Sequence, residues 1–315
     1  MFAIRGMAVS FSVFVIVYCG TSLAVLCTWR RLYARAEQFS LQRLANVLFS
    51  LRIFPLLVAT LITVAFAIPS FLLLEPRAIV EPLGDIPLAL ALLGVSLAVF
   101  GFANAGLAIG KASHTISNWT RSAERVHCNF PFPLLRIRRI VPAMTAVGIV
   151  RPRILLSGSA EFVLNGNELR TALNHEIAHI RRRDNLRKLV FRFVAFPGMR
   201  EIEAAWLQAS EMAADDAAVS STADALDLAA ALIKLSKLKG GERAPDLTAA
   251  LVHGHAAVIN ARVQRLISWS NEPHASPDCS GGRILALAAS AIAVLVVCYG
   301  SLLADVHRAT EWLVR

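Results

Sequence analysis

The sequence is poor in several residues on which whole classes of protein depend. Only five of its 315 residues are cysteine, and no two have the spacing of a redox motif or of a thiolate metal site. We therefore expect no disulfide framework and interpret the cysteines as buried thiols. They are Cys19, Cys27, Cys128, Cys279 and Cys298.

Acidic residues are also scarce, with 22 against 32 basic ones, which gives a formal net charge of +10. A basic excess is common in nucleic-acid-binding proteins. However, the chain has no stripe of interleaved aromatic and basic residues and none of the motifs of that class. Its arginines lie beside long apolar runs, where they orient a protein in a membrane. We expect no nucleic-acid partner.

Charged residues of both signs make up 17% of the chain, hydrophobic residues make up 56%, and the mean hydropathy is +0.57. Soluble proteins usually contain about 25% charged residues. Four apolar runs are long enough to cross a bilayer, which takes about 20 residues. They are Met7–Thr28, Pro55–Leu74, Ile86–Gly110 and Ile284–Leu303. The sequence therefore predicts a multi-pass protein embedded in membrane lipid. No small-residue cleavage site follows the first run, so we expect it to be retained as a span.

Charge also predicts the orientation of these spans. Residues 28–52 carry five arginines against one glutamate, whereas residues 75–85 carry three acidic residues against one arginine. Because cytoplasmic segments are enriched in Lys and Arg, we expect 28–52 to be a basic cytoplasmic loop and 75–85 a short external turn. The predicted order in a bacterial inner membrane is three transmembrane helices in 1–110, a cytoplasmic domain in 111–282, a fourth transmembrane helix in 283–303 and a short external tail in 304–315.

One short segment, His175-Glu176-Ile177-Ala178-His179, indicates chemistry. His-Glu-x-x-His on a helix is a zinc-binding pattern of metallopeptidases, in which the glutamate acts as general base. Residues four apart share a helix face, so the two imidazoles can bind one ion while Glu176 reaches the open coordination position. The run 167–182 has the periodicity of an amphipathic helix, which favours a folded site over a solvated helix with two chance histidines.

A catalytic zinc ion usually has three protein ligands, and Glu211 is the candidate for the third. It lies in an alanine-rich helical run, with Asp215 four residues later on the same face. We predict that Asp215 hydrogen-bonds a ligand histidine. The predicted metal ligands for Zn²⁺ are His175, His179 and Glu211, and the predicted catalytic residue is Glu176.

The remainder of residues 111–282 predicts an α+β domain. Two strand-like runs, Phe132–Ile140 and Thr145–Leu156, precede the motif helix. An edge strand there could hold an extended peptide, although an ordinary sheet edge explains the pattern equally well. The run Leu189–Phe196 is too short to span a bilayer, so we expect it to pack on the protein or lie along the membrane surface. Further helices are predicted over 111–126, 199–219, 224–238 and 256–269.

Several segments together resemble a known family. They are Arg151–Leu156, His175–His179, Arg181–Asn185, Glu211–Asp215 and, more weakly, Arg262–Leu266. In this order, over roughly residues 141–267, they resemble the membrane zinc peptidases of the BlaR/MecR antirepressor type, metallopeptidase family fifty-six. The resemblance implies zinc at His175, His179 and Glu211, catalysis by Glu176, and a cytoplasmic protein substrate such as a transcriptional repressor.

The fold class expected from these observations is a mainly α membrane protein. Four transmembrane helices carry an inserted cytoplasmic α+β zinc metallopeptidase domain of gluzincin-like type. The best-known members of the family also carry a large extracellular penicillin-binding sensor after the last span, which we do not expect here. The signal that such a protein answers is therefore left open.

Two alternatives to this interpretation stay open. The first is a CAAX-processing or heat-shock membrane protease, but the members compared place spans between the two-histidine helix and the third-ligand helix, and Ile180–Ser210 has no room for two. The second is a non-catalytic signalling protein with a degenerate zinc site, for which Glu176 has no evident use. The candidates for an oxyanion-stabilising residue are His253, His255 and Arg262.

Overall fold

A computed structural model of the chain is mostly helical and contains one small mixed sheet. It describes residues 2–36, 39–76, 84–121, 123–126, 130–137, 143–194, 196–238, 247–250, 256–269 and 298–311. Most of the predicted fourth span, and the middle of the predicted turn at 75–85 (residues 77–83), lie outside these residues. The described end of the fourth span belongs to a helix over 298–311.

Three helices in the described residues are long and apolar enough to cross a membrane, and they coincide with the three spans predicted before residue 111. The first is α1, Phe2–Ala36. The second, Leu41–Leu74, consists of α2 (Leu41–Ile62), a π-helical segment (Thr63–Ala67) and α3 (Ile68–Leu74). The third is α4, Asp85–Thr120.

The basic segment between the first two spans differs from its prediction. Most of residues 28–52 belongs to the end of α1 and the start of α2, so the expected loop is wrong. Arginine is a good helix former, and the helices continue beyond the apolar runs. The arginines therefore lie on helical extensions of the two spans.

The sheet has the strand order β1-β2-β4-β3-β5. The strands are β1 (Glu124–Val126), β2 (Leu134–Ile137), β3 (Met144–Val147), β4 (Arg153–Ser157) and β5 (Ala249–Ala250). Strands β2 and β4 are parallel, and the other neighbours are antiparallel. The predicted helix 111–126 ends at Thr120, and its last residues form β1.

The predicted strand Thr145–Leu156 is two strands joined by a tight turn at Gly148. Gly148 has φ +88, and a Cβ there would lie 2.7 Å from the carbonyl oxygen of Arg151, so glycine is required. The strand before the motif helix, β4, is internal, so the predicted edge strand is wrong there. On its other side β3 pairs with β5 at Thr145 and Ala146. The strand that covers β3 comes from a segment about a hundred residues later in the chain.

In the described residues between β4 and position 269 there are six helices, with β5 between the last two: α5 (Gly158–Val163), α6 (Gly166–Arg181), α7 (Asp184–Phe193), α8 (Arg200–Ala218), α9 (Thr222–Ser236) and α10 (Ala256–Ile267). Apolar side chains of β3, β4, α6, α9 and α10 form one core, which includes Met144, Leu156, Ile177, Leu232 and Leu266. This core fixes α6 against the sheet and α10 against α9.

The end of α7 and the segment that follows it pack against the candidate membrane-spanning helices. Phe193 contacts Phe102 of α4, with ring centroids 4.9 Å apart, and Phe196 contacts Tyr18 of α1 at 5.6 Å. Gly101 permits the close approach, since a Cβ there would lie 2.7 Å from the carbonyl oxygen of Phe193. Of the two predictions for Leu189–Phe196, packing on the protein is the one observed.

Candidate metal centre

The motif histidines lie on the buried face of α6. The helix begins with a capping box. The side chain of Asn165 accepts a hydrogen bond from the backbone amide of Glu168, and the side chain of Glu168 accepts one from the backbone amide of Asn165. These bonds satisfy two amides that a helix start leaves unpaired and fix where the helix begins. His175 and His179, which follow about three turns later, are buried, with 0% and 2% exposure.

A tight turn after α6 brings an unpredicted carboxylate to the second histidine. Arg183 has φ 54, a left-handed conformation that is uncommon outside glycine. The turn leads into α7 and places the Asp184 carboxylate 2.7 Å from His179 Nδ1. The same oxygen accepts a 2.9 Å hydrogen bond from Ser210 Oγ of α8. Asp184 therefore links His179 of α6 to Ser210 of α8.

Helix α8 brings the predicted third ligand to the histidines. The Nε2 atoms of His175 and His179 are 3.0 Å apart, and each lies 3.6 Å from an oxygen of Glu211. All three side chains are buried, and they form a group that could hold a metal ion. The prediction that these residues meet is confirmed.

The carboxylates next to the histidines indicate which nitrogen atoms are free to bind a metal. Nδ1 of His175 lies 2.9 Å from Asp215, and Nδ1 of His179 lies 2.7 Å from Asp184. If each Nδ1 carries the proton and donates it, each Nε2 presents a lone pair. Two lone pairs and a carboxylate then face one another in a buried space. This arrangement needs a positive charge between the groups, either a proton or a metal cation. Two Zn–N bonds at a tetrahedral angle place the nitrogen atoms about 3.3 Å apart, close to the observed separation.

Glu176 has one oxygen anchored and one without a partner. Its Oε2 accepts a 2.6 Å hydrogen bond from the amide of Ala146 in β3. Its Oε1 is buried and has no hydrogen-bond partner among the described residues. Burial, with a contribution from Glu211, raises the pKa of Glu176 to about 7, against the lowering effects of His175 and the Ala146 amide. A buried carboxylate with this pKa can accept or release a proton near neutral pH.

Arg262 of α10 lies behind the carboxylates and is 1% exposed. Its Nε and Nη2 donate to the two oxygens of Asp215 at 2.7 and 2.6 Å, and its Nη1 donates to Glu211 Oε2 at 3.1 Å. Arg262 was a candidate for stabilising an oxyanion, but its donors are directed to these carboxylates. The other two candidates, His253 and His255, lie outside the described residues.

The carboxylates of the centre favour a positive charge between them, which is a proton on His175 when no metal is bound and which a bound metal ion would displace. Burial lowers the pKa of His175, but hydrogen bonds with Asp215 and Glu211 outweigh burial and raise it to about 9. Burial holds the pKa of His179 below its ordinary value. Burial raises the pKa of Glu211, but His179, His175 and Arg262 together hold it well below the usual range. Arg262 has the same effect on Asp215, so both carboxyl groups are ionised at neutral pH.

No family model and no curated protein sequence matches the chain. The metal centre therefore rests on the residues and distances described above, and the resemblance to BlaR/MecR peptidases stays a prediction.

The structure brings all five predicted site residues together and adds contacts that the sequence did not predict. Asp215 contacts His175, as one of the two expected partners. Asp184 has the equivalent position at His179, and the sequence analysis did not predict this contact. The only local feature that marks Asp184 is its place as an acidic residue directly after three arginines. Asp216 does not face the centre and instead pairs with Arg265.

Proposed function

We propose that this protein is an integral membrane, zinc-dependent endopeptidase. The observation that carries the proposal is the meeting of three buried ligand side chains with a buried carboxylate that has one free oxygen. Two imidazoles and one carboxylate are a common ligand set of catalytic zinc, and they leave a coordination position open. A purely structural zinc site is usually closed by four protein ligands and has no use for Glu176.

Glu176 would act as the general base. Zinc in such a site lowers the pKa of a water molecule toward about 7 and polarises a peptide carbonyl. The amide of Ala146 holds one oxygen of Glu176, and the free oxygen would take the proton from an attacking water. Glu176 then delivers this proton to the nitrogen of the leaving amine. Asp215 and Asp184 keep the two imidazoles in the tautomer that presents Nε2.

A purified full-length protein tests this assignment. We expect Glu176→Gln to retain about one zinc ion per chain and to lose peptidase activity, because it keeps all three ligands but not the base. Glu211→Ala should lose the metal. Full activity in Glu176→Gln would remove Glu176 from the mechanism. Zinc without hydrolysis in the unmodified chain would favour a non-catalytic signalling protein.

We place the metal centre on the cytoplasmic side of an inner membrane. The part of the chain that carries the proposed metal centre lies at the arginine-rich ends of the first two spans. Arg30 forms an ion pair with Glu201 at 2.9 Å, and Arg52 donates a hydrogen bond to the carbonyl oxygen of Val194. Arginine-rich ends face the cytoplasm. Tyr299, in the described end of the predicted fourth span, donates a 2.8 Å hydrogen bond to the carbonyl of Ala65 in the second span.

Reporter fusions test the orientation directly. Fusions near Arg35 and Gly240 should report a cytoplasmic location, and a fusion near Glu81 should report an external one. A cytoplasmic signal at Glu81 would invert the arrangement and move the metal centre outside.

The proposed substrate is a cytoplasmic or membrane-proximal protein. The compartment follows from the orientation, and a transcriptional repressor is favoured by the resemblance to BlaR/MecR peptidases. Proteomics of native membranes with and without Glu176→Gln should reveal cytoplasmic cleavage products that depend on this residue. If all dependent cleavages lie in external proteins, the substrate class and the orientation are both wrong.

A further inference from the structure

Arg262 is a buried cation that the proposed catalytic steps do not use. It comes from α10, about fifty residues beyond Glu211, and all its side-chain nitrogens donate to Asp215 or Glu211. A buried guanidinium is unfavourable unless carboxylates compensate for its lost hydration. The position of Arg262 therefore depends on those carboxylates, and the carboxylates in turn contact the metal-site histidines.

Arg262 fixes the orientation of both carboxylates. Its planar fork binds Asp215 through two hydrogen bonds, which sets the plane of that carboxylate. Asp215 Oδ1 is shared between Arg262 Nη2, at 2.6 Å, and His175 Nδ1, at 2.9 Å. At Glu211 the guanidinium binds Oε2, while Oε1 lies 3.6 Å from His179 Nε2.

The position of Arg262 is in turn fixed by packing. Val263 and Leu266, on the same helix, are buried in the core with α6 and α9. The docking of α10 therefore determines where the guanidinium lies. Arg265, one turn further along α10, is partly exposed and bonds Asp216, which does not belong to the metal centre.

We propose that Arg262 is a positioning residue of the metal centre. It holds Glu211 and, through Asp215, His175 in the geometry that binds the ion, so that docking of α10 completes the site. This inference rests on the proposed metal site.

A different role would be simple charge compensation, and the two roles predict opposite effects. By electrostatics alone, removing a positive charge beside a divalent cation strengthens metal binding. Loss of positioning weakens it. Arg262→Gln removes charge and fork together, whereas Arg262→Lys keeps the charge and removes only the bidentate fork.

The experiment uses the full-length protein in detergent, with Arg265→Gln and Arg265→Lys as matched controls on the same helix. Zinc affinity is measured by competition with a chelator, and the visible spectrum of the Co²⁺-loaded protein reports the coordination geometry. We expect both Arg262 variants to bind zinc about 10–100-fold more weakly, as for other residues that orient metal ligands, and to have an altered Co²⁺ spectrum. The Arg265 variants should match the unmodified chain in both measurements.

Each other outcome overturns the proposal. Arg262→Lys with unchanged affinity and spectrum, or Arg262→Gln with tighter binding, would reduce Arg262 to charge compensation. If Arg262→Lys does not fold, Arg262 belongs to the core and not to the metal centre. If the unmodified chain binds no zinc, the proposed function fails as well. If it binds zinc normally and the Arg262 variants bind zinc equally well, only this inference is wrong.

Discussion

The two ends of α8 differ in what holds them. At its start, Ile202 and Trp206 pack with Val25 and Leu48 of the membrane-spanning helices. At its other end, the buried side chains include Glu211 and Asp215, which are held by histidines and Arg262. Apolar burial thus attaches the helix to the candidate membrane helices, and ionic contacts form the candidate metal centre. One 19-residue helix, about 28 Å long, joins the two.

A buried arginine lies at each end, and the two arginines have different partners. Arg52 donates to neutral acceptors, the carbonyl oxygen of Val194 and, at 3.4 Å, Met199 Sδ, and its guanidinium lies 5.9 Å from the Phe191 ring centroid. Arg262 donates to two carboxylates. We infer that changes at the first end affect stability without affecting the metal, and that changes at the second end affect the metal.

The largest expected effect is at the membrane end. Trp206 is 1% exposed and lies edge-on to Phe191, with ring centroids 4.9 Å apart. We expect Trp206→Ala to reduce the free energy of unfolding by about 3–5 kcal/mol, because it leaves a large cavity. Below its melting temperature the variant should still bind one zinc ion.

Thermal unfolding in detergent and metal analysis of the folded fraction check this prediction. Gln208→Ala, an exposed change on the same helix, should alter stability by no more than about 0.5 kcal/mol. A folded Trp206→Ala protein without metal would mean that the two ends of α8 are not separable.

The next effect is at the metal end. Asp215→Asn should weaken zinc binding about 10–100-fold, because Asp215 orients His175 and accepts both donors of the Arg262 fork. Asp216→Asn is the matched control, since Asp216 bonds only the partly exposed Arg265 in the described contacts. Chelator competition measures both. A larger loss in Asp216→Asn would contradict the helix register described here.

Arg52 provides a smaller test at the membrane end. Arg52→Gln removes the donor to the Val194 carbonyl, and we expect a loss of about 1–3 kcal/mol in the free energy of unfolding. Zinc affinity should stay unchanged, in contrast to Arg262→Lys. If the two variants lose zinc affinity equally, the distinction between the two arginines is wrong.

The sequence predicted the parts of the site that depend on local spacing. His175 and His179 are four apart on one amphipathic helix, and Glu211 and Asp215 repeat that spacing on another. Apolar length alone was sufficient to predict the three helices that are long and apolar enough to span a membrane. These features depend on helix periodicity, which can be recognised without knowledge of the tertiary fold.

The missed parts depend on tertiary contacts or on an unusual turn. Asp184 reaches His179 only because Arg183 adopts a left-handed conformation, which its side chain does not suggest. Arg262 and Arg265 are equivalent in the sequence, and only the docking of α10 decides which one is buried. The pairing of β5 with β3 likewise has no local signal.

The smallest expected effect concerns a charge outside both ends of α8. Asp224, in the first turn of α9, accepts hydrogen bonds from Ser220 Oγ at 2.6 Å and from Arg170 at 2.6 Å. These contacts, chiefly the one from Ser220, lower its pKa below the ordinary value of 3.8. A carboxylate near a helix start stabilises by about 0.3–1 kcal/mol, so we expect a loss of that size in Asp224→Asn at pH 6.

The pH dependence gives this prediction its sign. Because the pKa of Asp224 is lower in the folded protein than in the unfolded chain, its contribution is fully present above pH 3.8 and is lost as the pH falls through the folded pKa. The melting temperatures of the unmodified chain and of Asp224→Asn should therefore converge below that pH. Both melts are recorded with chelator, so that release of metal from the histidines does not contribute. A difference that widens in acid would contradict the lowered pKa, and a change in zinc affinity at pH 7 would show that charges far from α8 also influence the metal centre.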